Sequence, residues 1–531
     1  MLLTVLIAVQ VQAAATPPTP LIENLGKLHH PISTTVPLAQ RYFDQGLLLT
    51  YGFNHDEAIN SFQEAARLDS TCAMCYWGVA FALGPNINIP MSPSVTGQAL
   101  EAVREARARI GHASPVERAY IAAIAVRYSA DTTRPRAVLD SAYAGAARDL
   151  LHRYPRDDDA GALYADALMN LAPWNYWEAD GAPRPGTQEI ISTLEKILRR
   201  NPNHIGACHF YIHAVEASLA PQRAIPCAER LPGLAPGAGH LVHMPAHIYM
   251  RVGRYADAVT ANVHAAHADE TFIERRHPTG SYPFYYAHNL HFLWAATQME
   301  GRSAESLRAA RDLAKRVPPE MIRQVPPFEY LVPTPLFALV QFGKWDEVLR
   351  EPQPPEELRY SRAIWHYARG RAFAARLQLD EAAAELDSLT TIRVAIHEAP
   401  LGFQTAGSVL GVAAHALRGE IAAQRSDTAV AVRELEEAVR LQDALVYDEP
   451  PPWYYPVRQS LGAVLLTAGR AAEAETVYRE DLKRNPENGW SLFGLAQALR
   501  SQGKTADATG VDARFRRAWA RADVVLTASQ F

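Results

Sequence analysis

Apolar residues recur at intervals of three and four along almost the whole chain, and the strict alternation that marks a β-strand is nearly absent. The periodicity predicts helices over 73–83, 99–127, 136–154, 159–171, 187–200, 205–230, 285–316, 360–388 and 403–445. These helices follow a longer period. In 39–70, Tyr42, Gly46, Ala58, Phe62 and Ala65 fall at positions 4, 8, 20, 24 and 27 of a 34-residue unit, the spacing of the tetratricopeptide (TPR) repeat. Small residues belong where the two helices of a unit touch, and large ones fill the gaps between units. Ala246, Tyr249, Gly253, Tyr255 and Ala258 repeat the pattern, as do Gly462, Gly469, Ala474, Tyr478 and Pro486, with Trp490 and Gly494 opening another unit. The expected fold class is all-α: a TPR-like α-solenoid, a right-handed superhelix of roughly eight to ten irregular helix–turn–helix repeats. It forms one domain over 39–531, preceded by an N-terminal extension over 16–38.

Proline cannot continue a helix, so its clusters mark interruptions. Loops are expected at 173–186, 318–335 and 448–456, with a further break at 352–355. The first and third of the long loops are rich in Trp and Tyr, and long loops in repeat arrays often lie over the binding face. They are candidate lids; the equal alternative is that they patch gaps between irregular repeats.

Length and composition narrow the setting. A chain of 531 residues, 48% hydrophobic, would ordinarily divide into three or four globular domains, but a repeat array needs no such division. A net charge of −5 with no lysine or arginine block argues against nucleic acid or an anionic membrane as the main partner. Residues 1–15 carry an apolar run from Leu2 to Val11 and then small residues to Ala15, which reads as a signal peptide cleaved after Ala13 or Ala15. Export to a periplasm or beyond is the expectation. No later stretch approaches the roughly 20 apolar residues that span a bilayer. In an exported chain, Cys72 with Cys75 and Cys208 with Cys227 are disulfide candidates, the second as a staple across one helical hairpin.

The candidate chemistry is histidine. His209 and His213 are four residues apart, and the pair returns 34 residues later as His243 and His247. In repeat register His209, His213 and Glu216 take positions 5, 9 and 12, His240, His243 and His247 positions 2, 5 and 9, and His288 and His291 positions 2 and 5. All eight belong to groove-lining positions on the first helices of three successive repeats. Residues three or four apart share a helix face, and neighbouring axes are about 8–10 Å apart, close enough for imidazoles to share an ion. So many imidazoles together favour the neutral form, which is the form a metal binds. The set predicts a transition-metal site, for zinc, copper or iron, with nickel and manganese also compatible. One version is mononuclear, with His209, His213, His243 and His247 as the core and Glu216 as fifth ligand or general base. The other divides six or seven histidines between two ions. A metal-free groove binding an acidic peptide or small anion, and a hydrogen-bonded structural network, are the alternatives. Tyr285 and Tyr286 are candidate pocket-lining residues, while His264 and His267 fall on a second helix away from the groove.

The strings HFYIHAVE (209–216), GHLVHMPAHIYMRVGRY (239–255) and HNLHF (288–292) resemble those of a family of bacterial, mostly exported TPR proteins. The opening LHHPISTTVPLAQRYFDQGLLLTYGFNHDEAINSF and the late EPPPWYYPVRQSLGAVLL resemble it too, so the likeness spans nearly the whole chain. It implies the repeat fold and export, and no particular activity. Two functional classes follow: a binding module that holds a metal ion, or a small-molecule or peptide ligand through it, and a metalloenzyme, hydrolytic or oxygen-using, acting on a substrate in the same groove. Binding is the narrowly favoured reading.

Overall fold

A computed structural model describes residues 19–278, 280 and 282–531, so the signal-peptide segment lies outside the described residues. The chain is a TPR-like α-solenoid: among the described residues twelve helical hairpins follow one another, from Pro37–Tyr51 with His55–Leu68 to Gly489–Ser501 with Thr505–Ala518. That is more than the eight to ten expected, because units without the full repeat signature still form hairpins. The predicted helix over 99–127 is two, Thr96–Ala108 and Pro115–Ala125, since Ser114 and Glu117 form a reciprocal capping box that starts a new helix. The 318–335 segment is not a plain loop but contains Pro319–Gln324 and a 3-10 turn over Pro326–Leu331. A two-residue β-hairpin, Pro400–Leu401 with Gln404–Thr405, precedes the Ala406–Gln424 helix.

The repeat positions work by steric pairing. A Cβ at Gly46 or at Gly78 would lie 2.7 or 2.4 Å from the Phe62 ring, so that ring is clamped between the first helices of two successive units. Tyr478 is held the same way by Gly462 and Gly494, with a Cβ at 2.3 or 2.2 Å. One methyl group at any of these places would push neighbouring hairpins apart.

The superhelix closes on its own middle. The first hairpin reaches the fifth and sixth: Phe53 packs against His209 and Phe210, and Glu57 pairs with Arg276. From the other end, Trp490 Nε1 donates to the Gln298 carbonyl at 3.1 Å, and Gln298 Nε2 donates to the Tyr454 carbonyl at 2.5 Å. Asp523 accepts the Ser303 and Ala304 amides at 2.6 and 2.9 Å, covering the start of the Ser303–Arg316 helix. The apolar interior follows this closure, with one cluster running from Leu25 to Ala296 and a second from Trp294 to Val511, both meeting at the Tyr282–Met299 helix. Among the described residues no helix is long and apolar enough to cross a membrane.

Candidate metal centre

Three first helices carry the histidines. His209 and His213 stand on Ile205–Val215, whose N-terminus is capped by His204: Nδ1 accepts the Ala207 amide at 3.1 Å, while Nε2 faces Asp159 at 3.2 Å. His240 and His243 stand on Gly239–His243, and His247 on Pro245–Arg251. These two are one helix interrupted at Met244, because Pro245 has no amide to donate into the first turn. His288 and His291 stand on Tyr282–Met299. His209 and His243 are wholly buried, His213, His240 and His247 nearly so, and His288 is half-buried.

Six of the seven imidazoles meet in two triads. His209, His213 and His240 offer ligand atoms within 4.8 Å of one another, and so do His243, His247 and His288. His209 Nε2 is 3.1 Å from His240 Nε2, and His243 Nε2 is 3.0 Å from His247 Nε2. Two nitrogens bound to one ion at about 2.05 Å are separated by about 2.9 Å at a right angle and about 3.3 Å at the tetrahedral angle, so both pairs fit a shared ion. The outer ring nitrogens are largely committed. His209 Nδ1 donates to the Tyr51 carbonyl at 2.6 Å, His213 Nδ1 to Glu216 Oε1 at 2.9 Å, and His243 Nδ1 to Asn262 Oδ1 at 2.7 Å. Asn262 Nδ2 donates to the Ala258 carbonyl, which fixes the amide's orientation. His247 Nδ1 lies 2.5 Å from Glu216 Oε2 and 3.4 Å from Glu449 Oε2. With protons on the outer nitrogens, His209 and His243 turn bare Nε2 lone pairs inward, the orientation a metal ligand needs.

His291 departs from the sequence expectation. Its ring stacks on Trp294 at 5.1 Å and lies by Tyr330, next to a cavity of ≈ 20 Å³ shared with Gln404 and Asp448 rather than in either triad. Three residues advance the helix by about 300°, which turns the ring away from the second triad and toward Trp294 and Tyr330. Glu216 also takes a different part from the general base read from the sequence: it is fully buried, and its two oxygens are turned to His213 and His247. It orients imidazoles and has no free oxygen aimed at a substrate. Tyr285 packs at a tilt against His240, 4.8 Å between ring centres, and lines the centre, whereas Tyr286 faces away, bonding Glu270 at 2.7 Å. Cys72 and Cys75 form a disulfide. Cys208 and Cys227 face each other across their hairpin as foreseen, but remain buried thiols and not a disulfide. His30 does not reach the centre; its Nδ1 pairs with Asp159 at 2.6 Å, and His29 pairs with Asp44 at 2.9 Å.

Several contributors were not visible in the sequence. Phe53 rings off the first triad, 4.5 Å from His209, 5.6 Å from His240 and 6.0 Å from His213. The repeat register did hold a signal for it. Phe53 occupies position 15, where Gly253 and Gly301 sit in other units, and it adopts φ 57° there. Phe292 walls the second triad, 4.6 Å from both His243 and His247. Both aromatic loops lie over the centre: Trp174 meets His213 edge-on at 4.9 Å, and Glu449 brings its carboxylate to His247.

The electrostatics divide the site. Burial, then neighbouring imidazoles, hold His209, His240 and His243 well below the ordinary histidine value. His288 is lowered for the same reasons, and burial takes His291 to about 3. In His213 burial outweighs the help of Glu216 and the value falls. His247 is the exception to the expected neutrality: burial pulls it down, but Glu216 and Glu449 raise it to about 10. Glu216 is the counterpart, with burial overcome by His247 and His213 so that its carboxyl drops to about 2. Burial lifts Asp448 to about 8. Three buried polar atoms here have neither a hydrogen bond nor an ion pair: His213 Nε2, His240 Nδ1 and Trp174 Nε1. Such atoms are rare in folded proteins, and here they face the imidazole triads.

No family model matches the chain, and no curated protein matches it. Among solved structures it is similar to a human IFIT1 dimer with PPP-AAAA, at 13% identity over 92% of this chain and 96% of that one, with a TM-score of 0.33. A human IFIT1 dimer with m7Gppp-AAAA is similar at 10% identity over 91% and 90%, TM-score 0.32. Yeast Tom70 is similar at 12% identity over 92% of each chain, TM-score 0.29.

Proposed function

We propose that this is an exported, metal-binding repeat protein whose superhelix encloses a transition-metal centre of imidazoles. One observation carries the reading: Nε2 atoms face each other at 3.0 and 3.1 Å while their rings' outer nitrogens are held by Tyr51, Asn262 and Glu216. Those outer partners leave the Nε2 lone pairs of His209 and His243 free to bind a cation placed between the facing nitrogens. Imidazole donors suit copper, zinc and iron. The leader-like residues 1–15 support export, and a Cys72–Cys75 disulfide is at home in an oxidising compartment.

The test is elemental analysis of protein purified without an affinity tag, before and after reconstitution with each metal. Near-integral metal, lost when His213 and His247 are both replaced by alanine, is the expected result. Substoichiometric metal that reconstitution does not raise would refute the reading.

A second reading, a metalloenzyme, is favoured by one feature. Three nitrogens per pocket leave a coordination position open, as catalytic sites do and closed structural sites do not. Binding of a small anion such as azide to the protein reconstituted with cupric ion, followed by its charge-transfer absorption, separates the two. An unchanged spectrum would exclude an exchangeable position.

A further inference from the structure

We infer that the centre holds two copper ions in the cuprous state, one per triad, with Glu216 tying the two pockets together. This rests on the metal-binding reading above and goes further in number, identity and coupling.

The number follows from how the ligand atoms group. Nitrogens on opposite sides of one ion are about 4.1 Å apart at most, so ligands of a single ion all lie within that span of each other. Even within a looser span of 4.8 Å the six imidazoles group only three at a time, as His209, His213 and His240 and as His243, His247 and His288. The bent helix 239–251 explains the division: it delivers His240 to the first pocket, and His243 and His247 to the second. A third grouping, His213 with Glu216 and His247, is a poor ion site. Glu216 Oε2 and His247 Nδ1 are 2.5 Å apart, closer than the about 2.9 Å that two ligands of one ion keep at a right angle.

Identity follows from charge and donor type. Each triad is three imidazole nitrogens with no carboxylate among them, which suits copper better than the oxygen-seeking ions. The carboxylates that approach the triads do so from outside, Glu216 at His213 and His247, and Glu449 at His247. With Arg251 also 4.0 Å from Glu449, these two carboxylates come nearest to balance with monovalent ions. Two divalent ions would leave an excess of positive charge inside a buried site, which is strongly unfavourable.

Coupling follows from Glu216. One carboxylate holds an outer nitrogen from each pocket, at 2.9 Å on His213 and 2.5 Å on His247. Losing an outer partner of a ligating histidine weakens metal binding by about 10–100-fold, and here a single substitution removes it from both pockets.

The experiment is anaerobic titration of the full chain with cuprous ion in the presence of a competing chelator, with zinc titrated in parallel. Two copper ions per chain are expected for the wild type, and one each for His240→Ala and His288→Ala, which strike different pockets. Glu216→Gln should weaken both ions together; circular dichroism of each variant confirms that it is folded. One copper per wild-type chain, or loss of both ions in either histidine variant, would overturn the two-pocket assignment. Two zinc ions held more tightly than copper would overturn the identity, and an unchanged Glu216→Gln affinity would overturn the coupling. No bound metal of any kind would instead refute the metal-binding reading itself.

Discussion

Replacing Phe53 tests the link between backbone strain and the centre. The residue is buried, adopts φ 57°, and packs on His209, His213 and His240. Truncating a buried Phe to Ala costs about 3–5 kcal/mol. A non-glycine residue in the left-handed region carries a penalty of about 1–2 kcal/mol, which glycine escapes. Phe53→Gly should therefore be less destabilising than Phe53→Ala by about 1 kcal/mol, the reverse of the ordinary order, in which glycine is worse by roughly 0.5–1 kcal/mol. Both variants remove the ring that keeps water from the first triad, so both should bind metal more weakly by about tenfold or more. Because long repeat arrays do not unfold in one step, stability is best read by native-state hydrogen exchange over Pro37–Tyr51, His55–Leu68 and Ile205–Val215. A Phe53→Gly protein no more protected than Phe53→Ala would refute the strain argument. Wild-type metal affinity in both would show that the ring is packing alone.

Trp174→Ala should open the loop side of the first triad, where the indole meets His213 at 4.9 Å, and speed metal loss to a chelator in stopped-flow mixing with little change in stoichiometry. His291→Phe should leave metal content unchanged, since that ring stacks on Trp294 outside both triads; a lost ion would show that the ligand set is wrong. The extension should loosen as pH rises. Burial lowers His30, but its bond to Asp159 outweighs that and raises it above the ordinary 6.5. The proton on His30 thus stabilises docking fully below pH 6.5, and the contribution is lost as pH climbs through the raised value. Asp159 is strongly depressed, so its share fades only in strong acid. Limited proteolysis between residues 19 and 36 across this range checks the sign, and an equal rate for wild type and His30→Ala at every pH would refute it.

The hairpin architecture, its stacking and the helix face that the histidines share were legible in the chain alone. Those are short-range matters: a helical period puts positions three and four apart side by side, and a 34-residue spacing puts the same position on neighbouring units. Gly46 against Phe62 and Gly462 against Tyr478 show the repeat signature acting as steric fit. What each histidine does was beyond its reach. His288 and His291 are equivalent by spacing, yet one joins a triad and the other stacks on Trp294. Glu216 looks like a base beside His213 until His247 arrives at its second oxygen. Tyr51, which holds His209 from 158 residues away, and Glu449, which approaches His247, come from opposite ends of the chain. They meet because the superhelix curls both ends onto its middle. That curl is the sum of small rotations at every hairpin contact, a long-range outcome that no local pattern encodes, and it turns a row of imidazoles into two enclosed pockets.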